Sequence, residues 1–171
     1  MQTGAQHELD DDYFRRIAAI DYTMAHDDGQ MTWDLESADV VLVGVSRTSK
    51  TPTCMYLAHR GVKAANVPLV PTSEPPAELA TLRKPLVVGL TASSTRLSQI
   101  RRTRLTNLAA GQDAATYSDE DQVKQEIIKA KRYFAKNGWP MIDVTRRSVE
   151  ETAAKVLTLL SARQGGDVTQ G

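Results

Sequence analysis

The stretch ADVVLVGVSRTSKTP, residues 38–52, constrains the fold of this chain more than any other segment. Its aliphatic run at 40–43 predicts a buried β-strand. Small and polar side chains follow, and Pro52 suits the first turn of a helix, where its missing N–H group costs little. A buried strand that leads through a short loop into a helix is the unit from which α/β domains are built.

Strand and helix patterns alternate along the rest of the chain. Three more apolar segments, at 63–71, 85–93 and 139–145, predict strands. The segment at 85–93 is apolar without alternation, as expected for a parallel sheet that is covered on both faces. We therefore predict an α/β fold with a mostly parallel sheet flanked by helices.

The first helix is predicted from apolar periodicity and from its end signals. The acidic residues 10–12 are expected to cap its start, and the glycine within HDDGQ, residues 26–30, is expected to stop it. Four apolar side chains recur at helical spacing, so we expect them to form one stripe that faces the core. This stripe consists of Tyr13, Ile17, Ile20 and Met24.

Three later helices follow from the same signals. One is predicted at 95–108, the next begins at Ser118, and the last begins at a capping box formed by Ser148 and Glu151. The helix that begins at Ser118 has acidic residues in its first turn, where the helix dipole favours negative charge. Its inward stripe is Val123, Ile127, Ala130 and Phe134.

Composition excludes several classes of protein. With 171 residues, 41% apolar and 25% charged, the chain suits one globular domain, predicted over 4–162, with a disordered tail at 163–171. The 21 basic and 21 acidic residues balance, so no overall field favours nucleic acid or membrane. Cys54 is the only cysteine, which excludes an internal disulfide, and no apolar run reaches the ~18 residues of a membrane span. We expect a cytoplasmic protein that binds neither nucleic acid nor membranes.

The loop after the first strand matches the phosphate-binding pattern G-x-x-x-x-G-K-[ST], except that Ser49 replaces the second glycine. Backbone N–H groups of such a loop and the positive end of the following helix can meet a phosphate. Lys50 would supply charge to the outer phosphates, and Thr51 could bind Mg²⁺. The alternative is a Ser/Thr-rich turn with a solvated lysine. The candidate nucleotide-binding residues are Gly44, Val45, Ser46, Arg47, Thr48, Ser49, Lys50 and Thr51.

A second basic cluster lies in the helix predicted at 95–108. At about 100° per residue, Arg101 and Arg104 fall in the same sector as the apolar residues of this helix, whereas Arg102 points away. Arginines in an apolar sector need an anionic partner, because an unpaired buried charge is costly. They either pair with carboxylates of the domain or clamp phosphates during catalysis.

Acidic residues are needed for metal binding and for proton transfer in phosphoryl chemistry. Asp27 and Asp28 are candidates; of these we choose Asp28 for metal or proton handling, although it could simply belong to a helix-stop turn. Asp143 ends a predicted strand at the edge where α/β proteins bind ligands, or it caps the turn into the last helix. The three histidines lie far apart and predict no zinc site.

Several long segments together carry a family resemblance. GVSRTSKTP, YLAHRGVKAANVPLVP, VGLTASSTRLSQIRRTRL and GWPMIDVTRRSVEETAAKV closely resemble the bacterial and plant regulatory proteins of pyruvate, phosphate dikinase and phosphoenolpyruvate synthetase. YFRRIAAIDYTMAHDDG is similar to the segment that precedes the phosphate loop in that family. The resemblance covers about residues 4–160, and the family also carries serine in place of the second glycine.

The resemblance implies a bifunctional enzyme. One activity is an ADP-dependent kinase that phosphorylates a threonine of the dikinase or synthetase; the other is a phosphorylase that uses inorganic phosphate to remove that group as pyrophosphate. The resemblance implies that 44–51 bind ADP, and Mg²⁺ is expected. Because the protein-kinase signatures are missing, we expect a catalytic mechanism like that of small P-loop kinases and a P-loop kinase-like fold. Lys50, Asp28, Arg101 and Arg104 are the candidate catalytic residues.

Other interpretations stay open at this point. Family members carry a further N-terminal region, so we expect this chain to correspond to the C-terminal part. The dikinase is the expected partner, with the synthetase as the alternative and a homodimer left open. A small-metabolite P-loop kinase and a non-catalytic nucleotide-binding module are the competing functions.

Overall fold

The computed structural model describes residues 2–27, 34–45, 47–70, 74–95, 97 and 116–170. Helices and strands alternate along these ranges, which confirms the predicted α/β class. A 3₁₀ turn at Leu35–Ser37 leads into the first strand. The elements are α1 Gln2–Ala25, β1 Val40–Val45, α2 Lys50–Ala58, β2 Ala64–Leu69, α3 Glu78–Thr81, β3 Leu86–Thr91, α4 Thr116–Asn137, β4 Met141–Asp143 and α5 Val149–Gln170.

The four strands form one parallel sheet in the order β2-β1-β3-β4. Strand β1 is central and pairs on both sides, with Val40 opposite Ala64 of β2 and opposite Leu86 of β3. All strands point the same way, so their carboxyl ends meet at one edge. The loop that follows β1 lies at this edge, as α/β ligand sites require. The fold is consistent with a P-loop kinase-like domain.

Both faces of the sheet are covered by helices. Val40 and Leu42 belong to an apolar cluster with Leu57 of α2 and Val156 of α5. The alternate residues of β1 belong to the other cluster, which includes Phe134 of α4. This two-sided burial explains why β1 and β3 are apolar without alternation. The inward stripe predicted for α4 is confirmed, since Val123, Ile127, Ala130 and Phe134 are all buried.

The stripe predicted for α1 faces solvent, so that prediction was wrong. Tyr13, Ile17 and Met24 are 54%, 40% and 62% exposed. Helix α1 instead contacts β2 and α2, and the side chains that are buried within residues 11–25 are small or polar. Thr23 is one of them, and its hydroxyl accepts a hydrogen bond from the N–H of Ala64 at 3.3 Å. Periodicity identifies an apolar stripe, but it does not show which face the rest of the chain covers.

The predicted start of α1 was also wrong. Helix α1 begins at Gln2, so residues 10–12 lie inside the helix rather than at its cap. Asp12 instead accepts a hydrogen bond from Arg15, one turn further on, at 2.8 Å. Acidic residues can support a helix through such i,i+3 pairs as well as through capping.

The other predicted boundaries agree better. The capping box before α5 is confirmed, because Glu151 N–H donates to the Ser148 hydroxyl at 3.1 Å and Glu151 accepts from Ser148 in return. Helix α5 continues to Gln170 and so includes most of the segment predicted to be a disordered tail. A helix that has already begun adds one hydrogen bond with each further residue.

Most of the helix predicted at 95–108 lies outside the described residues. None of the described helices is long and apolar enough to cross a membrane.

Candidate functional site

The loop between β1 and α2 has an unusual backbone. Arg47 and Ser49 have φ angles of 69° and 62°, in the left-handed region that favours glycine. Ser49 occupies the position of the motif's second glycine, which explains why glycine is usual there. Left-handed residues are characteristic of backbone concavities that bind anions. Holding side chains in this region costs about 1–3 kcal/mol per residue, and such strain is concentrated at functional sites.

Gly44 allows this loop to pack closely on the neighbouring strand. A Cβ atom at this position would lie 2.8 Å from the carbonyl oxygen of Leu90 and 3.1 Å from the Thr48 hydroxyl. The first of these contacts is with backbone of β3, which cannot move aside easily. The first glycine of the motif is therefore required by the approach of β3 and of the loop itself.

The ammonium group of Lys50 lies over the loop. Lys50 is only 5% exposed, and its Nζ donates to the carbonyl oxygen of Val45 at 2.8 Å and contacts the Thr48 hydroxyl at 3.4 Å. Thr48 also donates to the Val45 carbonyl, at 2.9 Å. This burial excludes the solvated lysine that the sequence left as an alternative. Arg47, in contrast, is exposed.

Thr51, at the start of α2, contacts an acidic residue from the end of α1. Its hydroxyl donates to Oδ1 of Asp27 at 2.7 Å, and the side-chain amide of Asn66 on β2 donates to the same oxygen at 2.6 Å. Asp28 lies outside the described residues, so its predicted role stays a prediction. The structure adds Asp27 as the carboxylate beside Thr51.

This pair of residues fits a magnesium ion. Thr51 and Asp27 offer hydroxyl and carboxylate oxygens, which are the hard ligands that Mg²⁺ prefers. Within the described parts of the chain, no group of three or more His, Cys, Asp or Glu side chains could hold a metal ion. Mg²⁺ commonly binds through one or two protein ligands together with substrate phosphates, and these two residues suit that mode.

A buried histidine, His26, lies next to Asp27 in the sequence and contacts Asp34. His26 is 3% exposed; its Nδ1 lies 2.7 Å from the carbonyl oxygen of Tyr22, and its Nε2 pairs with Asp34. The Tyr22 ring stacks on the imidazole at 3.8 Å, and its hydroxyl donates to the Asp34 carbonyl at 3.1 Å. Burial, and then the charges of Asp34 and Asp39, raise the pKa of Tyr22. This cluster fixes His26, the residue next to Asp27. The spacing of the histidines in the sequence bears only on zinc binding and does not indicate this cluster.

Asp143 caps a turn at the carboxyl edge. It accepts a hydrogen bond from the Thr145 N–H at 2.9 Å and another from the Thr145 hydroxyl. Partial burial, the largest single influence, acts to raise the pKa of Asp143. The two hydrogen bonds and the charges of Lys131 and Arg147 outweigh it, so the pKa is lowered. These contacts favour the capping alternative for Asp143.

A cleft of about 330 Å³ opens beside the loop, at the carboxyl ends of β1 and β2. One side of α4 forms its opposite wall. No local sequence pattern indicates this cleft, because its lining comes from segments far apart in the chain. It is lined by Val45, Leu69, Val70, Glu74, Pro75, Gln122, Gln125, Glu126, Lys129, Ala130, Tyr133 and Lys136.

The structure brings together most, but not all, of the predicted site. Gly44 and Val45 end β1, and Lys50 and Thr51 begin α2. The loop residues between them that the structure describes are Arg47, Thr48 and Ser49. Ser46, Asp28, Arg101 and Arg104 lie outside the described residues, and their roles stay predictions.

The chain is similar to known proteins along most of its length. The profile of the kinase/pyrophosphorylase family matches residues 1–157. A protein of Caulobacter vibrioides is 62% identical over 96% of this chain and 52% of its own length. Proteins of Maricaulis maris and Bradyrhizobium diazoefficiens are 58% and 55% identical over 95% of this chain and 58% of theirs.

All three relatives carry the name "Putative pyruvate, phosphate dikinase regulatory protein". The chain spans little more than half the length of these curated relatives. The profile match covers nearly the whole chain and includes the loop, Asp27 and β4. This chain therefore belongs to the kinase/pyrophosphorylase family.

Proposed function

We propose that this chain is the nucleotide-binding catalytic domain of a regulator of pyruvate, phosphate dikinase. In one direction it transfers phosphate from ADP to a threonine of the dikinase. In the other it uses inorganic phosphate to remove that group as pyrophosphate. One arrangement carries the proposal: Lys50 is buried beside a strained loop, and the next residue, Thr51, contacts Asp27. The names of the relatives support the choice of target.

The loop offers hydrogen-bond donors and positive charge to the phosphates of ADP. Backbone N–H groups at 44–51 and the start of α2 supply donors and positive potential. The Lys50 ammonium now donates to a carbonyl oxygen, so a phosphate would offer it a stronger, charged acceptor. Thr51 and Asp27 would hold Mg²⁺, which when bound neutralises charge on the phosphate oxygens.

One site can serve both directions. In the kinase reaction, the threonine oxygen forms a bond to the β-phosphorus of ADP while the bond to AMP breaks, and a carboxylate takes the hydroxyl proton. In the phosphorylase reaction, an oxygen of inorganic phosphate forms the new bond to phosphorus and the threonine oxygen leaves. Both reactions move a phosphoryl group between a protein hydroxyl and a second phosphate, so the same loop and Lys50 are used. Asp28, the neighbour in sequence of the proposed Mg²⁺ ligand Asp27, takes the threonine proton in the kinase reaction and returns it to the threonine oxygen in the phosphorylase reaction.

Competing functions are separated by their substrates. A small-metabolite kinase would bind ADP but would not label the dikinase, and a non-catalytic module would bind ADP without transfer. Phosphoenolpyruvate synthetase is the alternative target, and it would be labelled instead of the dikinase. A homodimer stays a prediction.

The first test is a titration of the chain with ADP, with and without Mg²⁺. We expect binding that Mg²⁺ strengthens and that Lys50→Ala weakens, while Lys155→Ala on an exposed part of α5 leaves it unchanged. Transfer from β-labelled ADP to purified dikinase then tests the reaction. Equal ADP affinity in the wild type and in Lys50→Ala would contradict the assignment of the loop.

A further inference from the structure

The cleft lies beside the position expected for the nucleotide, not in it. In an open parallel sheet, ligands bind where the strand order reverses. Here the chain leaves β1 towards β2 and leaves β3 towards β4, so the reversal falls between β1 and β3. The cleft is one strand further along, at the ends of β1 and β2. It is therefore a second concavity next to the loop.

The lining of the cleft suits a short polypeptide segment. Leu69, Val70, Pro75 and the Tyr133 ring provide apolar surface. Amides and charges of both signs from α4 and from Glu74 surround it, and these can pair with backbone and side chains of an extended segment. A volume of about 330 Å³ is at the small end of ligand pockets, which suits a few side chains rather than the surface of a folded domain.

Val45 connects the cleft to the phosphate loop. It lines the cleft, and its carbonyl oxygen accepts the hydrogen bond from the Lys50 ammonium at 2.8 Å. Val45 therefore contacts both the cleft and the group that would bind the transferred phosphate. Phosphoryl transfer needs the attacking and leaving oxygens roughly in line, so donor and acceptor must enter from different sides. Neighbouring sites at β1–β3 and β1–β2 satisfy this requirement.

We propose that this cleft binds the segment of the acceptor protein that carries the phosphorylated threonine. This rests on the proposed function, because it assumes that the loop binds ADP and that the acceptor is a protein. The charges at the rim then select the sequence around the threonine, with Lys129 and Lys136 facing acidic residues of that sequence.

The test compares a variant that fills the cleft with a matched variant outside it. Val70→Trp adds bulk at a 45% exposed position of the lining, and Ile128→Trp adds the same bulk at a 42% exposed position of α4 outside the lining. A second pair exchanges charge, Lys129→Glu in the lining and Lys124→Glu, exposed on the same helix and outside it. Binding of purified pyruvate, phosphate dikinase to the surface-immobilised chain is measured by surface plasmon resonance, and ADP binding is measured by titration calorimetry.

We expect Val70→Trp to weaken dikinase binding by about tenfold or more, as for a central contact of an interface, with ADP affinity unchanged. Ile128→Trp and Lys124→Glu should change neither. Unchanged dikinase binding in Val70→Trp and Lys129→Glu would overturn the proposal, as would a loss of ADP binding in place of dikinase binding, because the cleft would then hold the nucleoside. Failure of the wild-type chain to bind ADP would refute the proposed function instead, and the dikinase measurement does not depend on that result.

Discussion

The hydroxyl of Thr51 donates a hydrogen bond to Oδ1 of Asp27 at 2.7 Å, across twenty-four residues of sequence. Asn66 donates to the same oxygen, so α2, β2 and the turn that follows α1 meet at one carboxylate. The position of Asp27 is therefore fixed by α2 and β2 as well as by its own turn. A carboxylate held beside the hydroxyl that follows a phosphate-loop lysine is well placed to bind a metal ion or to take a proton.

Replacing Asp27 by asparagine tests this role. Asp27→Asn keeps an oxygen that Thr51 and Asn66 can bind, but it removes the charge that would attract Mg²⁺. We expect ADP affinity in Mg²⁺ to fall by about 1.5–3 kcal/mol, the range for hydrogen bonds to charged groups, with little change without Mg²⁺. Titration calorimetry under both conditions provides the measurement. Asp21→Asn, exposed on α1, is the control, and a similar loss in that variant would argue against a specific role of Asp27.

Lys50 should serve both reactions. We expect Lys50→Ala to reduce the kinase and the phosphorylase rates together, because one anion site is used in each direction. The two rates are measured separately, with labelled ADP and with phosphorylated dikinase plus inorganic phosphate. A variant with normal phosphorylase activity and no kinase activity would show that the two reactions use different sites.

Ser49 should be replaceable by glycine with a gain in stability. At a φ of 62° the Cβ atom of serine is strained, so Ser49→Gly should raise the free energy of unfolding by about 1 kcal/mol. Urea denaturation measures this change. Ser161→Gly, at an exposed right-handed position of α5, should lower it by a comparable amount. If Ser49→Gly is destabilising, the left-handed conformation is not a source of strain.

Asp143 should contribute to the acid sensitivity of the fold. Its pKa is lowered in the folded state, so the unfolded chain binds the proton more tightly. The stabilisation is complete above the ordinary pKa of 3.8 and is lost as the pH falls through the lowered value. The effect is small, because the side chain is exposed and its interactions are screened. Urea unfolding between pH 6 and about 3 should show a shallower loss in Asp143→Asn than in the wild type.

The sequence predicts those elements in which local pattern and tertiary burial coincide. The run at 40–43 and the stripe of α4 are apolar in the sequence and buried in the structure, so both predictions are confirmed. The stripe of α1 has the same periodicity, but the chain packs against another face of that helix. An apolar period carries no information about which partner covers it.

The site shows a similar division. The loop is local, so its pattern could be recognised from eight residues, and the structure places Lys50 and Thr51 within it. The choice between Asp27 and Asp28 depends on where α1 ends, and helix boundaries are uncertain by one or two residues from any local signal. The contact of His26 with Asp34 and the cleft behind Val45 join distant segments, so no local pattern indicates them.

The central position of β1 has a consequence for how the chain folds during synthesis. Val40 lies opposite Ala64 and Leu86, and every described strand pair is parallel, so none of these pairs is a hairpin between neighbouring segments. Contacts between distant segments form slowly, since the entropy of loop closure is lost before they are made. At about 5–20 residues per second, the ribosome needs seconds to deliver β3 after β1. Until β3 arrives, at least one edge of this almost wholly aliphatic strand is unpaired, and an unpaired apolar edge exposes the nascent chain to aggregation.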